Sequence, residues 1–190
     1  LGDVYKRQGE SIRNSWEDII YSMNQKIKEY GASQGVEMGT TITAVLFLKD
    51  KYYAIHVGDS RLYELSDGCR QITEDQTLIA RELAQGIITK EQALTDSRRN
   101  VLLQCIGVTQ KLLPAFYSGN INGEAAYLVC SDGFRHVITP DEIYQLCRPL
   151  QNLTQKVMQV NLTSLVERVK QRGERDNISA VLIQVGRETC

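Results

Sequence analysis

Three aspartates stand at the ends of apolar, strand-like segments, and this placement constrains the fold more than any other feature of the chain. Asp59 follows residues 52–57, Asp132 follows residues 125–130, and Asp176 precedes residues 178–185. If the first two segments run one way and the third returns antiparallel beside them, all three carboxylates emerge at one edge of a sheet. Hard divalent cations take oxygen ligands of this kind. The sequence therefore predicts a metal site.

The apolar pattern of the first part of the chain predicts one long helix followed by a block of strands. Apolar residues recur at helical spacing over 12–30, with Ser11 available as N-cap and Gly31 as terminator. Four strand-like runs then follow, at 40–48, 52–57, 61–65 and 69–72. Asp67-Gly68 predicts a hairpin between the last two runs.

The second part of the chain repeats this change of pattern. Residues 74–109 are helical in character, with a break at Gly86. A strand pair at 112–118 and 125–130 flanks Asn122-Gly123, which is again a hairpin-type turn. Helical patterns over 141–147 and 153–171, the second ended by Gly173, precede the last strand. Strands in blocks with helices outside them indicate an α+β fold in which helices cover sheets.

Four motifs carry a family resemblance. They are Gly39-Thr40-Thr41, which opens a strand, His56-Val57-Gly58-Asp59-Ser60-Arg61-Leu62-Tyr63, Cys130-Ser131-Asp132-Gly133-Phe134 and Arg175-Asp176-Asn177-Ile178-Ser179. Their content and order resemble the bacterial branch of the protein phosphatase 2C family, the metal-dependent serine/threonine phosphatases, and the resemblance spans residues 11–185. It implies a four-layer α-β-β-α sandwich with two antiparallel sheets, incomplete at the N-terminus.

The resemblance also implies a chemistry. In the family, the aspartates that match Asp132 and Asp176 ligate a pair of Mn²⁺ or Mg²⁺ ions, and the one that matches Asp59 joins Asp132 at a third ion. A metal-activated water attacks phosphoserine or phosphothreonine in proteins, so no catalytic residue beyond the metal ligands is expected. The implied substrates are proteins that a serine/threonine kinase has phosphorylated in a bacterial signal-transduction pathway.

The sequence departs from the family pattern in its N-terminal part. Family members carry Asp-Gly-x-Gly-Gly, whose aspartate bridges both metals, and this motif does not occur here. We therefore expect residues 1–10 to be a non-native or disordered leader and residues 11–187 to be a catalytic domain that lacks its first strands. Residues 74–109 match the family's flap, where Gln76 departs from the usual residue and bears on substrate choice. This polypeptide is expected to be nearly inactive, and its full-length parent active.

Other interpretations of the same residues stay open. Taken singly, Asp59 could make a turn hydrogen bond or pair with Arg61, Asp132 could be a helix N-cap, and Asp176 could belong to an ordinary turn. The domain could be a catalytically dead phosphoprotein-binding module, or a phosphatase of an anti-sigma-factor antagonist. His56 and His136 lack a recognisable nucleophile motif, so we expect core or surface roles for both.

Composition excludes several classes of function. The chain has 190 residues and a net charge of −1, without a Lys/Arg cluster, which disfavours nucleic acid and anionic membranes as partners. No apolar run approaches the ~20 residues that cross a bilayer, and no signal peptide is visible. Five scattered cysteines without a Cys-x-x-Cys pair argue against disulfides and zinc. We expect a cytoplasmic monomer with reduced thiols.

Overall fold

The computed structural model describes residues 2–121, 123–151 and 154–186. The helices within these ranges are α1 (Gly2–Gln34), α2 (Leu78–Ala84), α3 (Lys90–Thr95), α4 (Asp132–Arg135), α5 (Pro140–Cys147) and α6 (Gln155–Gln171). The strands are β1 (Ile42–Leu48), β2 (Lys51–Val57), β3 (Arg61–Leu65), β4 (Cys69–Gln71), β5 (Ala115–Asn120), β6 (Ala125–Cys130) and β7 (Ala180–Val185). No helix of the described ranges is long and apolar enough to cross a membrane.

The chain forms two compact units, each built on one sheet. The first unit comprises residues up to 59 and residues 74–119, and its sheet has the strand order β1-β2-β5. The second comprises residues 60–73 and those from 120 onward, and its sheet has the order β4-β3-β6-β7. The predicted α+β class with two antiparallel sheets is confirmed.

In the first unit, α1 covers the sheet through one apolar face. Ile20 of α1 is buried with Ile55 and Val57 of β2, and Trp16 packs against this cluster. The ring of Trp16 meets that of Phe116 edge to face, with centroids 6.3 Å apart. The helix therefore owes its place to the stripe of apolar residues that the sequence shows at helical spacing.

Helix α1 is longer than predicted at both ends. It begins at Gly2, so residues 2–10 are helical, and Ser11 lies inside the helix. It continues through Gly31 to Gln34, where Gly35 takes a φ of +67°. A Cβ on Gly31 would lie 2.7 Å from the Val36 carbonyl oxygen, so this glycine permits a close approach and does not end the helix. That the leader is non-native stays a prediction.

In the second unit, α5 and α6 cover the four-stranded sheet. Leu128 and Phe134 are buried with Ile143, Leu165 and Val169 of these helices. The predicted hairpin at residues 67–68 is confirmed, because β3 and β4 pair antiparallel, with Leu65 opposite Cys69. The helix predicted from 153 begins at Gln155, behind an N-cap on Thr154, and Leu153 lies outside the described residues.

The second predicted hairpin, between β5 and β6, is wrong. Strand β5 lies beside β2 in the first sheet, whereas β6 lies between β3 and β7 in the second. Gly123 does take a positive φ, +74°, while Asn122 lies outside the described residues. A turn dipeptide reports a local reversal of the chain, but the partners of each strand are set by burial over its length. Strand β6 is buried almost throughout, which suits a central position.

Candidate metal centre

Two of the three predicted aspartates lie at one edge of the second sheet. Strands β6 and β7 pair antiparallel, and Cys130 at the end of β6 is opposite Ala180 at the start of β7. The chain leaves β6 through Asp132 and enters β7 shortly after Asp176. The antiparallel return expected from the sequence thus brings these two segments together.

Ser131 ties the two segments to each other. It stands at the N-cap position of α4, but its side chain makes no capping hydrogen bond. Its Oγ instead donates to the Asn177 carbonyl at 3.2 Å and accepts the Ser179 N–H at 3.1 Å. The Ser131 N–H donates to the Ser179 carbonyl at 3.0 Å. The start of α4 is therefore fixed against residues 177–179.

Gly133 lets the two segments approach more closely than any other residue would. A Cβ at this position would lie 2.5 Å from the Asn177 carbonyl oxygen and 3.2 Å from Cβ of Asp176. Real Cβ atoms are not found so close to backbone oxygen. The missing side chain thus places Asp176 directly beside the first turn of α4, which begins with Asp132.

Each carboxylate makes one short local hydrogen bond. Asp132 Oδ1 accepts the Gly133 N–H at 2.8 Å, and Asp176 Oδ1 accepts the Asn177 N–H at 2.7 Å. Asp132 is the first residue of α4 and not its N-cap, so the capping interpretation is wrong. An ionised carboxylate has about four lone-pair sites, so both groups retain acceptors for a cation.

This donor set fits a hard divalent cation. Mg²⁺ and similar ions are commonly held by one or two carboxylates, with water and substrate oxygens as the other ligands. Within the described ranges there is no cluster of three or more His, Cys, Asp or Glu side chains suited to a metal. An ion between Asp132 and Asp176 would therefore keep several positions for water and substrate.

Two residues that the sequence interpretation set aside or did not consider lie beside this pair. The His136 Nδ1 is 3.2 Å from Glu174 Oε2, and its Nε2 is 3.8 Å from Asp132 Oδ2. Glu174 Oε1 accepts the N–H groups of Arg175 and Asp176 at 2.8 and 2.9 Å. The hydrogen bond from Asp176 holds the pKa of Glu174 below its usual value against the opposing effect of burial, with help from Arg175 and His136. The sequence signal for these two residues was their spacing alone: His136 comes four residues after Asp132, and Glu174 two residues before Asp176.

Asp59 belongs to the first unit and follows β2, which lies in the other sheet. The prediction that all three aspartates emerge at the edge of a single sheet is therefore wrong for Asp59. Asp59 is 9% exposed. It follows a turn in which Gly58 takes a φ of +115°. The assignment of Asp59 as a metal ligand stays a prediction.

Gln76 fixes the turn that precedes Asp59. Its Oε1 accepts the Gly58 N–H at 2.9 Å, and its own N–H donates to the Gly58 carbonyl at 2.8 Å. Its Nε2 donates to the Leu113 carbonyl at 3.2 Å. The amide group of Gln76 thus braces the backbone of the first unit, a role that the sequence did not indicate.

His56 is fully buried and hydrogen-bonded at both ring nitrogens. Nε2 is 2.9 Å from the Gly58 carbonyl, and Nδ1 is 2.8 Å from the Thr43 hydroxyl. Because a carbonyl can only accept, Nε2 carries the proton, and in the neutral ring Nδ1 accepts from Thr43. Burial lowers the pKa of His56, partly offset by the Gly58 carbonyl. The core role expected for this histidine agrees with its burial.

The buried neutral state of His56 predicts a loss of stability in mild acid. The unfolded chain binds a proton near the ordinary histidine pKa of 6.5, while the folded chain, in which the His56 pKa is lower, does not. As pH falls below about 6.5, the free energy of unfolding should decrease, with a limiting slope of about 1.4 kcal/mol per pH unit for one proton. Urea denaturation at pH 8.0 to 5.0 measures this slope. His56→Gln should flatten it, and a variant with the same slope would contradict the assignment.

Comparisons with known proteins place the chain in a family. No family model matches the sequence. The serine/threonine phosphatase stp of Listeria welshimeri is 30% identical over 192 residues, which cover 97% of this chain and 74% of that protein. The solved serine/threonine phosphatase of S. agalactiae superposes with a TM-score of 0.84 and 27% identity, covering 93% of this chain and 72% of that one.

A further solved structure is the catalytic domain of the serine/threonine protein phosphatase PstP in complex with two manganese ions. It covers 85% of this chain and 66% of that one, with a TM-score of 0.71 and 27% identity. The fold and these likenesses define a bacterial phosphatase-type domain. The chain belongs to the protein phosphatase 2C family of serine/threonine phosphatases. The resemblance drawn from the four motifs is thereby confirmed.

Proposed function

We propose that this protein, in a form that also carries the family's Asp-Gly-x-Gly-Gly motif, hydrolyses phosphoserine and phosphothreonine in other proteins, with Mn²⁺ or Mg²⁺ held by Asp132 and Asp176. The observation that carries the proposal is the junction of the two segments, in which Gly133 brings Asp176 beside the first turn of α4. Membership of a family of serine/threonine phosphatases, and the two manganese ions in PstP, support the same activity.

The reaction explains why carboxylates are needed here. A phosphomonoester dianion repels an attacking hydroxide, and charge builds on its oxygens as the phosphoryl group is transferred. Bound divalent cations supply a water of lowered pKa and neutralise that charge. Asp132 and Asp176 would hold the cations and offset their charge, while Ser131 and Gly133 keep the two segments that carry these carboxylates together.

The substrates of the proposed reaction are phosphorylated proteins, and we infer that a serine/threonine kinase produces them. A non-catalytic phosphoprotein-binding module is disfavoured, because such a module has no need of the close approach at Gly133 that brings the half-buried Asp132 and the exposed Asp176 together. A cytoplasmic monomer remains the expectation from sequence.

Removing the metal tests the proposal. With Mn²⁺ present, we expect a form of the protein that carries the Asp-Gly-x-Gly-Gly motif to release phosphate from phosphothreonine and phosphoserine peptides and none from a phosphotyrosine peptide. EDTA should abolish release, and added Mn²⁺ should restore it, because the attacking water depends on the cation. Mn²⁺ binding, followed by the EPR signal of the free ion, is measured beside turnover since it tests the carboxylates directly.

Release that persists in EDTA would contradict the metal-dependent mechanism. Tight binding of phosphopeptide without any turnover in Mn²⁺ would instead support the binding module.

A further inference from the structure

Helix α4 is one turn long and is tied at both ends to the segment that carries Asp176. At its start, the Ser131 hydroxyl bonds residues 177 and 179. At its end, His136 is the C-cap, and its N–H donates to the Asp132 carbonyl at 3.1 Å. A four-residue helix has little stability of its own. Its position therefore depends on these side-chain contacts.

The contact at the end of α4 is the His136–Glu174 pair, whose side chains are each 11% exposed. Glu174 uses both carboxylate oxygens. Oε2 faces His136 Nδ1 at 3.2 Å, and Oε1 accepts the backbone N–H groups of Arg175 and Asp176. Because an ionised carboxylate can only accept, Nδ1 carries the proton of the imidazole in this hydrogen bond. One side chain thus joins the end of α4 to the backbone of Asp176.

The imidazole also reaches the other candidate ligand. Its Nε2 lies 3.8 Å from Asp132 Oδ2, which is too long for a hydrogen bond. The connection from Asp132 to the Asp176 N–H therefore runs through the turn of α4 and the hydrogen bond between His136 and Glu174.

We propose that His136 and Glu174 are positioning residues that set the placement of Asp132 relative to Asp176. This inference rests on the proposed function, because it assigns the pair to the same metal centre. Residues that orient metal ligands typically contribute 10–100-fold to metal affinity. His136 and Glu174 act on the metal only through the two aspartates.

A double-mutant cycle in the full chain tests the link. Mn²⁺ affinity is measured at one fixed pH, by EPR of the free ion, for His136→Ala, Glu174→Ala and the double variant. Each single change should weaken binding by about 10-fold or more. The double variant should bind Mn²⁺ as tightly as whichever single variant binds it less tightly, because either change breaks the same link. If the fold-losses of Mn²⁺ affinity in the two single variants multiply in the double variant, the proposal is overturned.

A conservative variant separates positioning from other roles of the histidine. The side-chain amide of His136→Asn can donate from nearly the same place as Nδ1 but has no counterpart of Nε2. It should retain Mn²⁺ affinity within about threefold of the native chain. A loss as large as that of His136→Ala would overturn the proposal, because the effect would then come from Nε2.

Amide hydrogen exchange supplies a readout that needs no metal. In the metal-free chain, the Arg175 and Asp176 N–H groups should exchange faster in Glu174→Ala, and also in His136→Ala, where Glu174 loses its anchor. Unchanged exchange at Asp176 in both variants would overturn the proposal.

Two controls complete the experiment. Glu167→Gln removes a carboxylate of α6 that pairs with Lys170 at 2.9 Å, and it should leave Mn²⁺ affinity unchanged. Asp132→Asn, titrated with Mn²⁺ beside the others, separates the proposed metal centre from the proposed positioning role. If it leaves Mn²⁺ affinity unchanged, the assignment of the metal centre is wrong. If it weakens binding while His136→Ala and Glu174→Ala do not, only the positioning role is wrong.

Discussion

Asp132→Asn is expected to weaken Mn²⁺ binding by more than about 100-fold, beyond the loss typical of residues that only orient a ligand. Asparagine has nearly the same shape, and its Oδ1 can still accept the Gly133 N–H that Asp132 accepts at 2.8 Å. What disappears is the negative charge that a hard cation requires. In a form of the protein that carries the Asp-Gly-x-Gly-Gly motif, turnover of phosphothreonine peptides should fall by about 100- to 1000-fold, since the cation contributes several kcal/mol to the transition state.

The matched control for Asp132→Asn is Asp67→Asn, in the β3–β4 turn of the same unit. It removes the same charge from a turn that accepts asparagine readily. EPR titration and phosphate release should be unchanged in this control, and thermal unfolding should show that both variants fold. Native Mn²⁺ affinity in Asp132→Asn would remove Asp132 from the metal centre.

Gly133→Ala is expected to damage both the stability of the second unit and the metal centre. In an exposed helix, replacing glycine by alanine stabilises by about 1 kcal/mol. At Gly133 the sign should reverse, because the new Cβ would lie 2.5 Å from the Asn177 carbonyl oxygen. Overpacking against backbone costs about 1–3 kcal/mol. The strain should be relieved by moving the Asp176 turn away from α4, so Mn²⁺ affinity should fall as well.

Gly68→Ala is the matched control for this steric effect. No atom outside Gly68 and its two chain neighbours lies within 4 Å of the position that its Cβ would take, so the free energy of unfolding should change by less than about 0.5 kcal/mol. Urea denaturation measures both variants. If Gly133→Ala is as stable as the native chain and binds Mn²⁺ equally well, the close approach is not needed to hold the two carboxylates together.

Local pattern was sufficient for most helices and strands of this chain. The apolar stripe of α1, the strand runs of β2 and β6, and the hairpin at residues 67–68 each depend on neighbours within a few residues. The errors arose where distant parts of the chain decide. The turn dipeptide at 122–123 predicted that β5 pairs with β6, but β5 lies beside β2 in the first sheet.

The candidate site also has parts that the local sequence pattern predicted and parts that depend on contacts between distant residues. The aspartates at 132 and 176 were found because each adjoins an apolar, strand-like segment, and antiparallel pairing of β6 with β7 makes those strand ends meet. The pair of His136 and Glu174 was missed because its members are 38 residues apart and neither belongs to a recognisable motif.

The amino-acid order by itself determined which segments become helices and strands, the family, and two carboxylates that a metal could use, because these depend on local spacing and on short motifs. Only the tertiary structure decided which strands share a sheet and which side chains hold those carboxylates in place. The physical reason is that strand pairing and hydrogen bonds between distant residues depend on burial and distance in space, which the order of residues does not display.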